Sequence, residues 1–362
     1  MNRFTLPVFI LLLLINTSLS AQSSYADTTY PVTDTLPRSL LLFENDSILD
    51  ISIRFDITQY KRKRSDEEYL DAILTYKPGE NDSVSKNIRV RARGEFRRNY
   101  CDFPPLMLNF RVKDTIGKEF SRINKLKMVT ICRKGHEDYL LREYLVYKLY
   151  NVLTDNSYKV KLLRIDYINT GKTRRNKNLI REFAFAIEPV EHLAERTGTV
   201  EVKSDNLSRR MIKPSMLDRM AIFNYMIGNA DWSVGGQHNV TVLSDSWSER
   251  PDLGVVVPYD FDYSGLVNTS YAVPGENLGI KSVRERVYLG LCREREVFEV
   301  VLREFTDKKD EFYMVINEFP WLKEKSKRDM IKYLDSFYEQ FDKRNFIVNT
   351  LLYDCRRYGS NN

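Results

Sequence analysis

The sequence predicts an α+β protein, with a mainly antiparallel sheet carrying one helix in its first half and mainly helices in its second. From Leu49 to Ile57 apolar and polar residues alternate strictly, which is typical of a strand with one buried face. After Pro214 the apolar residues recur at helical spacing instead. We therefore expect two lobes, spanning residues 41–190 and 191–362.

The amino-terminal segment has the pattern of a secretory signal peptide. An apolar run from Leu6 to Ile15 follows Arg3 and precedes several small residues. This run is shorter than the roughly 20 apolar residues that a membrane-spanning helix needs, and no later stretch of the sequence reaches that length. We expect a signal peptide at 1–20, a flexible lead-in at 21–40 and an exported protein, periplasmic or extracellular, with no integral membrane span.

Further strands of the first half are predicted by the same alternation or by short apolar runs. In the run that ends at Ala92, three arginines occupy the face opposite the apolar residues. We expect these strands to form an antiparallel sheet with the first one. They are Ile88–Arg93, Leu106–Val112, Lys125–Ile131, Lys161–Ile168 and Glu182–Ile187.

One helix is predicted within the sheet half and several in the second half. From Leu141 onward leucine recurs every four residues with tyrosines beside it, so this stripe is expected to be core. A second helix is expected from Pro214 to about Gly228, because proline is favoured in a first helical turn. From about Ser282 the chain is expected to be helical, with a break at residues 319–321.

The charge pattern does not indicate a nucleic-acid partner. The net charge is +6 and no long basic block is present. The densest basic runs, at 61–64 and 172–177, each lie between predicted strands, where a solvated hairpin loop accounts for them. We therefore expect no nucleic-acid binding.

Four cysteines, Cys101, Cys132, Cys292 and Cys355, are compatible with disulfides in an exported protein. Three pairings are open, and short separation along the chain favours Cys101 with Cys132 and Cys292 with Cys355. The spacings do not fit a Cys-x-x-Cys metal site. With three histidines in the chain, a zinc centre is not expected either.

Acidic and amide residues between 229 and 262 carry most of the functional information. Asp231 follows a predicted helix, Asn239 comes one loop later, and an Asp-x-Asp follows the next predicted strand. Such oxygen donors can hold a divalent cation on a nucleotide phosphate. We predict that Asp231 orients the attacking hydroxyl. Asn239 and Asp260 are predicted to bind Mg²⁺ or Mn²⁺, with Asp262 available for a second ion.

Cations and one glutamate are predicted to complete the site. Lys127, on a predicted strand, would reach the α/β-phosphates of ATP, with Glu143 of the first helix as its ion-pair partner. Lys125 on the same strand is the other candidate for this phosphate contact. Arg91 and Arg93 lie on one face of a strand that ends at Gly94, where a hairpin could approach phosphate. Each of these residues could have a purely structural role instead. The glutamate could pair with a neighbouring helix cation, Lys127 could be a solvated edge residue, and the arginines could pair with acidic residues of a neighbouring strand.

Five motifs between residues 85 and 310 carry a resemblance to known proteins. They are Arg93-Gly94-Glu95, Leu141-Arg142-Glu143-Tyr144, Asn229-Ala230-Asp231, His238-Asn239 and Pro258-Tyr259-Asp260-Phe261-Asp262. As a set they resemble the CotH-type (spore-coat) atypical kinase family and, more distantly, HipA-like kinases. The resemblance implies a two-lobed protein kinase-like fold, with an antiparallel sheet plus one helix in the N-lobe and a mainly helical C-lobe. It also implies ATP with a divalent metal, and transfer of the γ-phosphate to a hydroxyl on a protein or carbohydrate acceptor.

Several features depart from the protein-kinase pattern and leave other functions open. Asn239 follows Asp231 by eight positions, a longer interval than in the protein-kinase catalytic loop, so Gly235-Gly236 must fold an extra turn to bring it back to the metal. A glycine-rich phosphate loop is missing from the sequence. A catalytically inactive binding or structural module of the cell envelope is therefore an alternative. A nucleotide-sugar transferase using the Asp-x-Asp is a third possibility, but it predicts a parallel sheet alternating with helices.

Overall fold

The computed structural model describes most of the chain between Leu40 and Tyr358. The described residues are 40–78, 82–110, 118–171, 179–204, 207–245, 254–341 and 343–358. The predicted signal peptide and all but the last residue of the predicted lead-in lie outside these ranges, as does the basic run at 172–177. The other basic run, at 61–64, lies on and just after a helix and not in a hairpin loop.

Seven strands form a closed barrel. They are β1 (Leu49–Phe55), β2 (Leu70–Tyr76), β3 (Val84–Ala92), β4 (Leu106–Phe110), β5 (Lys125–Thr130), β6 (Val160–Asn169) and β7 (Leu179–Ile187). Around the barrel their order is β1-β2-β3-β4-β5-β7-β6. The neighbouring strands are antiparallel, except that β1 and β6 are parallel. Because β1 pairs with both β2 and β6, closure removes the exposed edges that an open sheet would have.

The residues of β1 show how the barrel closes. Ile53 lies opposite Leu74 of β2 and opposite Tyr167 of β6. Ile51, Ile53 and Phe55 are buried, as their alternation predicts, while the polar residues between them are more exposed. Together with inward residues of the other strands they form one apolar core that fills the barrel.

The predicted two-lobed protein kinase-like fold with a mainly helical C-lobe is wrong. The sheet of the first half is a closed seven-stranded barrel that includes a parallel pair. The second half contributes a three-stranded sheet in addition to its helices. Strands of an open sheet and strands of a closed barrel show the same alternation of apolar and polar residues. The barrel closes through the pairing of Leu49 with Leu163, and no residue pattern in either segment indicates this pairing.

Besides the barrel strands, the described part of the chain contains helices and a second sheet. The helices of the described residues are α1 (Ile57–Lys63), α2 (Phe96–Tyr100), α3 (Glu137–Leu153), α4 (Val190–Thr197), α5 (Pro214–Ile227), α6 (Arg295–Asp307), α7 (Lys309–Asn317), α8 (Glu324–Phe341) and α9 (Tyr353–Tyr358). The second sheet contains β8 (Thr199–Glu201), β9 (Val240–Asp245) and β10 (Val255–Pro258). Its strands are antiparallel, with β9 in the centre. Within the described part of the chain, no helix combines the length and the apolar character needed to cross a bilayer.

A second apolar core joins the outer face of the barrel to the helices. Val129 of β5 and Phe185 of β7 belong to this core, together with α3, α5 and the carboxy-terminal helices. The leucine and tyrosine stripe of α3 is core, as predicted, since Leu141, Tyr147 and Tyr150 are buried. α3 is therefore fixed between the barrel wall and the helical half.

The bounds of α5 match the prediction. Pro214 occupies its first turn, and Gly228 follows its last residue with φ of 67°, the left-handed conformation that favours glycine at a helix end. A Cβ at Gly228 would collide with the Tyr333 hydroxyl. Glycine here therefore lets the chain leave the helix sharply and enter the loop that carries Asp231.

The later helices differ from the prediction in where they begin. Residues 282–294 contain no regular helix, and helical structure resumes only at Arg295 with α6. The predicted break at 319–321 is confirmed, because it falls between α7 and α8.

Two disulfides link Cys101 with Cys132 and Cys292 with Cys355, the pairing that chain separation favoured. Cys101 directly follows α2, and Cys132 lies just beyond β5. The backbone N–H of Asp102 also donates to the Cys132 carbonyl at 2.9 Å. The end of α2 is thereby fixed to the end of β5.

Candidate functional site

A cleft of about 930 Å³ collects polar residues from distant parts of the chain. It is lined by the loop between β3 and α2, by α2 itself, by Lys127 of β5, by the loop before β9 and by the turn after β10. This volume lies within the roughly 300–1,000 Å³ of small-molecule sites. Six of the predicted site residues line it: Arg93, Lys127, Asp231, Asn239, Asp260 and Asp262.

A tight turn inside the loop brings Asp231 and Asn239 together. Ser233 and His238 exchange backbone hydrogen bonds of 2.9 Å each, and the two glycines lie in the turn that these bonds close. This is the extra turn that the long interval requires. The Asn239 amide thereby returns to 3.0 Å from the Asp231 carboxylate.

Asp231 is held by its neighbours and keeps access to the cleft. Its Oδ1 accepts a hydrogen bond from His238 Nε2 at 2.8 Å, and its Oδ2 accepts one from Asn239 Nδ2 at 3.0 Å. Its backbone N–H donates to Asn229 Oδ1 at 3.1 Å, and Asn229 is itself bonded to Asn224 of α5. The Asp231 side chain is 37% exposed. Since a carboxylate oxygen accepts more than one hydrogen bond, Asp231 can accept another from a hydroxyl in the cleft.

The Asn239 amide is oriented so that its oxygen stays available. Its Nδ2 donates to both the backbone carbonyl and the carboxylate of Asp231. Among the described residues, none donates a hydrogen bond to its Oδ1. Its φ of 54° lies in the left-handed region, which asparagine tolerates better than most residues. The amide oxygen can therefore act as a metal ligand.

The turn after β10 presents Asp260 and Asp262. Asp260 has φ of 60°, a conformation that costs a non-glycine residue of order 1–3 kcal/mol. Its backbone N–H donates to the Tyr147 hydroxyl of α3 at 2.9 Å. Phe261 is buried, with its ring 4.8 Å from that of Tyr147. A turn anchored on α3 thus positions both carboxylates, because β10 ends at Pro258.

Asp262 is buried and has a strongly shifted pKa. Its residue is 5% exposed. Burial, and then the negative charge of Asp260, raise its pKa to about 7, against the lowering effect of Arg97 and of the hydrogen bond from the Tyr271 hydroxyl. That hydroxyl donates to Oδ2 at 2.9 Å. Two carboxylates placed this close favour a cation or a proton between them.

The donor set fits a hard divalent cation that phosphate helps to hold. In the described part of the chain, no group of three or more His, Cys, Asp or Glu side chains is placed to hold a metal ion. Mg²⁺, however, is usually bound by one or two carboxylates together with water and substrate phosphates. Asp260, Asp262 and the Asn239 oxygen supply such ligands. Burial contributes most to the raised pKa of Asp262, and the negative charge of Asp260 adds to it, so a cation bound between the two carboxylates would offset part of this shift.

Lys127 and Arg93 supply positive charge to the same cleft. Lys127 lies on β5, with Nζ 5.4 Å from the centroid of the Tyr259 ring. Burial, and then repulsion from Arg93, lower the pKa of Lys127, whereas Asp260 raises it. A phosphate between the two cations would relieve their repulsion.

Of the two predicted arginines, Arg93 lines the cleft and Arg91 does not. Arg91 lies over the Tyr69 ring, 5.3 Å from its centroid, and donates to the Asp66 backbone carbonyl. Gly94 follows Arg93 with φ of 82°, and nothing lies within 4 Å of the place where a Cβ would stand. The backbone at Gly94 is therefore open to approach by a ligand.

The buried partner of Glu143 is Arg97, which the sequence motifs did not indicate. Arg97 Nη1 donates to Glu143 Oε2 at 3.2 Å and lies 3.8 Å from Asp262 Oδ2. Its Nη2 donates to the Thr130 carbonyl at the end of β5, at 3.1 Å. The predicted pair of Glu143 with Lys127 is therefore wrong. The alternative of a surface ion pair is wrong too, because Glu143 is 1% exposed.

This buried ion pair leaves each member dependent on the other. Burial raises the pKa of Glu143 well above its usual value, although the charge of Arg97 lowers it. Burial alone would lower the pKa of Arg97, but Tyr271, Glu143 and Asp262 together raise it. Glu143 Oε1 has no hydrogen-bond partner among the described residues. The carboxylate thus relies on Arg97 for compensation.

The sequence signal for Arg97 is weak for a physical reason. α2 has five residues, too few for a periodic pattern to show which side is buried. Its partner Glu143 lies 46 positions later in the chain. The one hint was its place three positions after Gly94, just beyond the motif Arg93-Gly94-Glu95.

No protein-family model matches the chain, and no curated protein matches it significantly. The function of the cleft must therefore be inferred from its own residues. Those residues combine carboxylates, cations and an amide around one space. That combination suits a phosphorylated ligand bound together with a divalent cation.

Removing Arg97 is expected to destabilise the protein strongly. Arg97→Met leaves Glu143 buried without its counter-charge, so the free energy of unfolding should fall by about 3–5 kcal/mol. Arg97→Met combined with Glu143→Leu should lose markedly less than the sum of the single variants. Urea denaturation of all three variants measures this coupling.

The control for this cycle is an exposed ion pair of the same type. Arg164 pairs with Asp50 on the barrel surface, where both side chains are more than one third exposed. Arg164→Met should cost less than about 1 kcal/mol. Equal losses at Arg97 and Arg164, or additive losses in the cycle, would contradict the assigned ion pair.

The raised pKa of Asp262 predicts a pH-dependent stability difference. The unfolded chain releases this proton near pH 4 and the folded protein near pH 7, so ionisation of Asp262 destabilises the fold as pH rises between these values. Relative to wild type, Asp262→Asn should therefore gain up to about 1.4 kcal/mol per pH unit in this window and level off above it. Chemical denaturation in chelator at several pH values measures the difference. A stability difference between wild type and Asp262→Asn that does not change with pH would refute the assignment.

Proposed function

We propose that this protein is a metal-dependent phosphotransferase that moves the γ-phosphoryl group of ATP to a hydroxyl acceptor. The observation that carries the proposal is the convergence of Lys127, Asp231, Asn239 and the Asp-x-Asp on one cleft. These residues come from strand, loop and turn segments of both halves of the chain. Their types match the parts that phosphoryl transfer needs, which are cations, oxygen ligands and a carboxylate beside the nucleophile.

The phosphate side of the cleft would be built by cations and metal ligands. Arg93 and Lys127 would bind phosphate oxygens, and the exposed backbone at Gly94 would allow close approach. Asn239 and Asp260 would hold Mg²⁺ or Mn²⁺, with Asp262 beside them. The bound cation would supply charge neutralisation at the transferring phosphate.

The acceptor side would be served by Asp231. Its carboxylate, oriented by His238 and Asn239, would accept the hydrogen bond and then the proton of the attacking hydroxyl. The oxygen of that hydroxyl would form a bond to the γ-phosphorus as the bond to the leaving nucleoside diphosphate breaks. Positioning and charge compensation supply most of the acceleration in such a reaction.

We also propose that the protein works outside the cytoplasm. The structure contains two disulfides, and structural disulfides persist in oxidising compartments. The predicted signal peptide agrees with this location. The motifs that resemble CotH-type atypical kinases include several of the cleft residues, so the resemblance agrees with the proposed reaction, although the fold that it implied is wrong.

A second candidate is a nucleotide-binding module without transfer activity. The observation that favours it is the ion pair of Glu143 with Arg97, because Lys127 then has no carboxylate partner among the described residues to orient it toward phosphate. Binding would survive in this case, since the metal ligands and cations remain. Transfer would be absent or very slow.

Nucleotide binding and transfer can be separated by two aspartate variants. With Mg²⁺ or Mn²⁺ and ATP at about 100 times the dissociation constant, the wild type should gain about 2.7 kcal/mol of stability. Asp260→Asn should lose most of this gain because it removes a metal ligand. Asp231→Asn should keep the gain but lose about 10²–10⁴-fold in phosphoryl transfer, measured with radiolabelled ATP. Asp310→Asn, exposed on α7, is the matched control and should change neither.

The outcomes distinguish the two candidates. Stabilisation without measurable transfer in the wild type would favour the binding module. No stabilisation by any nucleoside triphosphate with either metal would refute both.

A further inference from the structure

A second pocket adjoins the cleft on the far side of Asp231. Its volume is about 420 Å³, and it shares Asp231, His238 and Tyr263 with the cleft. The rest of its lining comes from the end of α5, the loop after Asp231, the segment 273–289 and the last residue of α9. We call it the acceptor pocket. A molecule that occupied it could place a hydroxyl beside the Asp231 carboxylate while a nucleotide filled the cleft.

The acceptor pocket is polar at one end and mainly apolar elsewhere. Asp231, Ser233 and His238 form the polar end. The remaining wall is mainly apolar and includes Val273, Pro274, Leu278, Ile280, Val283 and Leu289. Asp231 is the one carboxylate among the described lining residues, and no lysine or arginine lines the pocket. An anionic group inside it would therefore meet a carboxylate and no lysine or arginine, which disfavours anionic ligands.

The pocket is already formed without a ligand. Tyr358 closes one side, and its hydroxyl donates to the Leu278 carbonyl at 2.7 Å. The disulfide between Cys292 and Cys355 fixes α9 three positions before Tyr358. Leu278, Val283 and Leu289 are buried members of the wall. Preformed apolar walls bind matching groups with little loss of conformational freedom.

We propose that the acceptor is a peptide and that the acceptor pocket receives a large apolar side chain close in sequence to the phosphorylated hydroxyl residue. This inference rests on the proposed phosphotransferase function and names its substrate class. The arrangement of polar and aliphatic ends matches a hydroxyl next to an apolar side chain. A volume of about 420 Å³ accommodates such a side chain with part of its backbone.

The lining argues against a carbohydrate acceptor. A sugar presents hydroxyls in several directions, and each buried hydroxyl needs a hydrogen-bond partner. Beyond the polar end, the described wall consists mainly of aliphatic side chains and of the aromatic rings of Trp232, Tyr263 and Tyr358, with Asn277 as an amide. The Tyr358 hydroxyl already donates to the Leu278 carbonyl, so this wall offers few partners for the several hydroxyls of a sugar, whereas a leucine or phenylalanine side chain needs none.

Val273 offers a clean test because it is 68% exposed at the pocket wall, so its substitution should not disturb folding. Val300, on α6 and outside both cavities, is also 68% exposed and provides a matched control. The substrates are serine peptides in which each position from two before to two after the serine is varied among Leu, Phe, Lys, Asp and Gly. Phosphorylation is measured with ATP and Mn²⁺, and binding of a fluorescein-labelled peptide is measured by anisotropy.

The proposal predicts an apolar preference at one peptide position that depends on Val273. In wild type, Leu or Phe should exceed Asp in kcat/KM by about 10- to 100-fold at that position. Val273→Asp should reduce this preference at least about fivefold and weaken peptide binding in anisotropy, mainly through KM. Val300→Asp should change neither quantity. The melting temperatures of both variants without nucleotide should stay near that of wild type.

Two kinds of contrary result distinguish an error in the acceptor assignment from an error in the phosphotransferase function. Nucleotide-dependent stabilisation with no apolar preference at any peptide position would overturn the acceptor pocket alone. So would efficient phosphorylation of simple sugars, or of a lipid hydroxyl, that Val273→Asp leaves unchanged. No stabilisation by nucleotide and metal in wild type would overturn the phosphotransferase function and the acceptor assignment together.

Discussion

The site depends on the buried ion pair between Arg97 and Glu143. Arg97 comes from α2 after β3, Glu143 from α3, and the same guanidinium contacts the Thr130 carbonyl at the end of β5 and approaches Asp262 after β10. One cation therefore joins the barrel, the central helix and the acidic turn. Because these groups are buried, each charge is strongly coupled to the others. Tyr147, one turn along α3 from Glu143, binds the backbone of the same turn and reinforces this junction.

Each disulfide supports a different side of the proposed reaction. The bond between Cys101 and Cys132 fixes the end of α2, and so holds Arg97 near the carboxylates of the cleft. The bond between Cys292 and Cys355 fixes α9, whose last residue closes the acceptor pocket. Asp231 lies where the two cavities meet. The proposed nucleotide site and acceptor site would thus share the Asp231 carboxylate, and a different disulfide would stabilise the wall of each site.

Features with local causes could be predicted from the sequence, and features with distant causes could not. The alternation of β1 and the proline and glycine at the bounds of α5 depend on nearby residues, and these elements were predicted well. Barrel closure depends on the pairing of Leu49 with Leu163, which no local pattern records. The same distinction holds for the residues of the candidate site. Asp231 and Asn239 could be chosen by residue type and order, whereas the partner of Glu143 required the folded arrangement.

A crystal structure with Mn²⁺ and a non-hydrolysable ATP analogue tests the central claim most directly. Manganese is located by its anomalous scattering, without reference to any expected ligand. We predict a manganese peak at about 2.1 Å from oxygens of Asp260 and Asn239, with the phosphates extending toward Lys127 and Arg93. A manganese ion bound elsewhere, or a nucleotide absent from the cleft at saturating concentration, would contradict it.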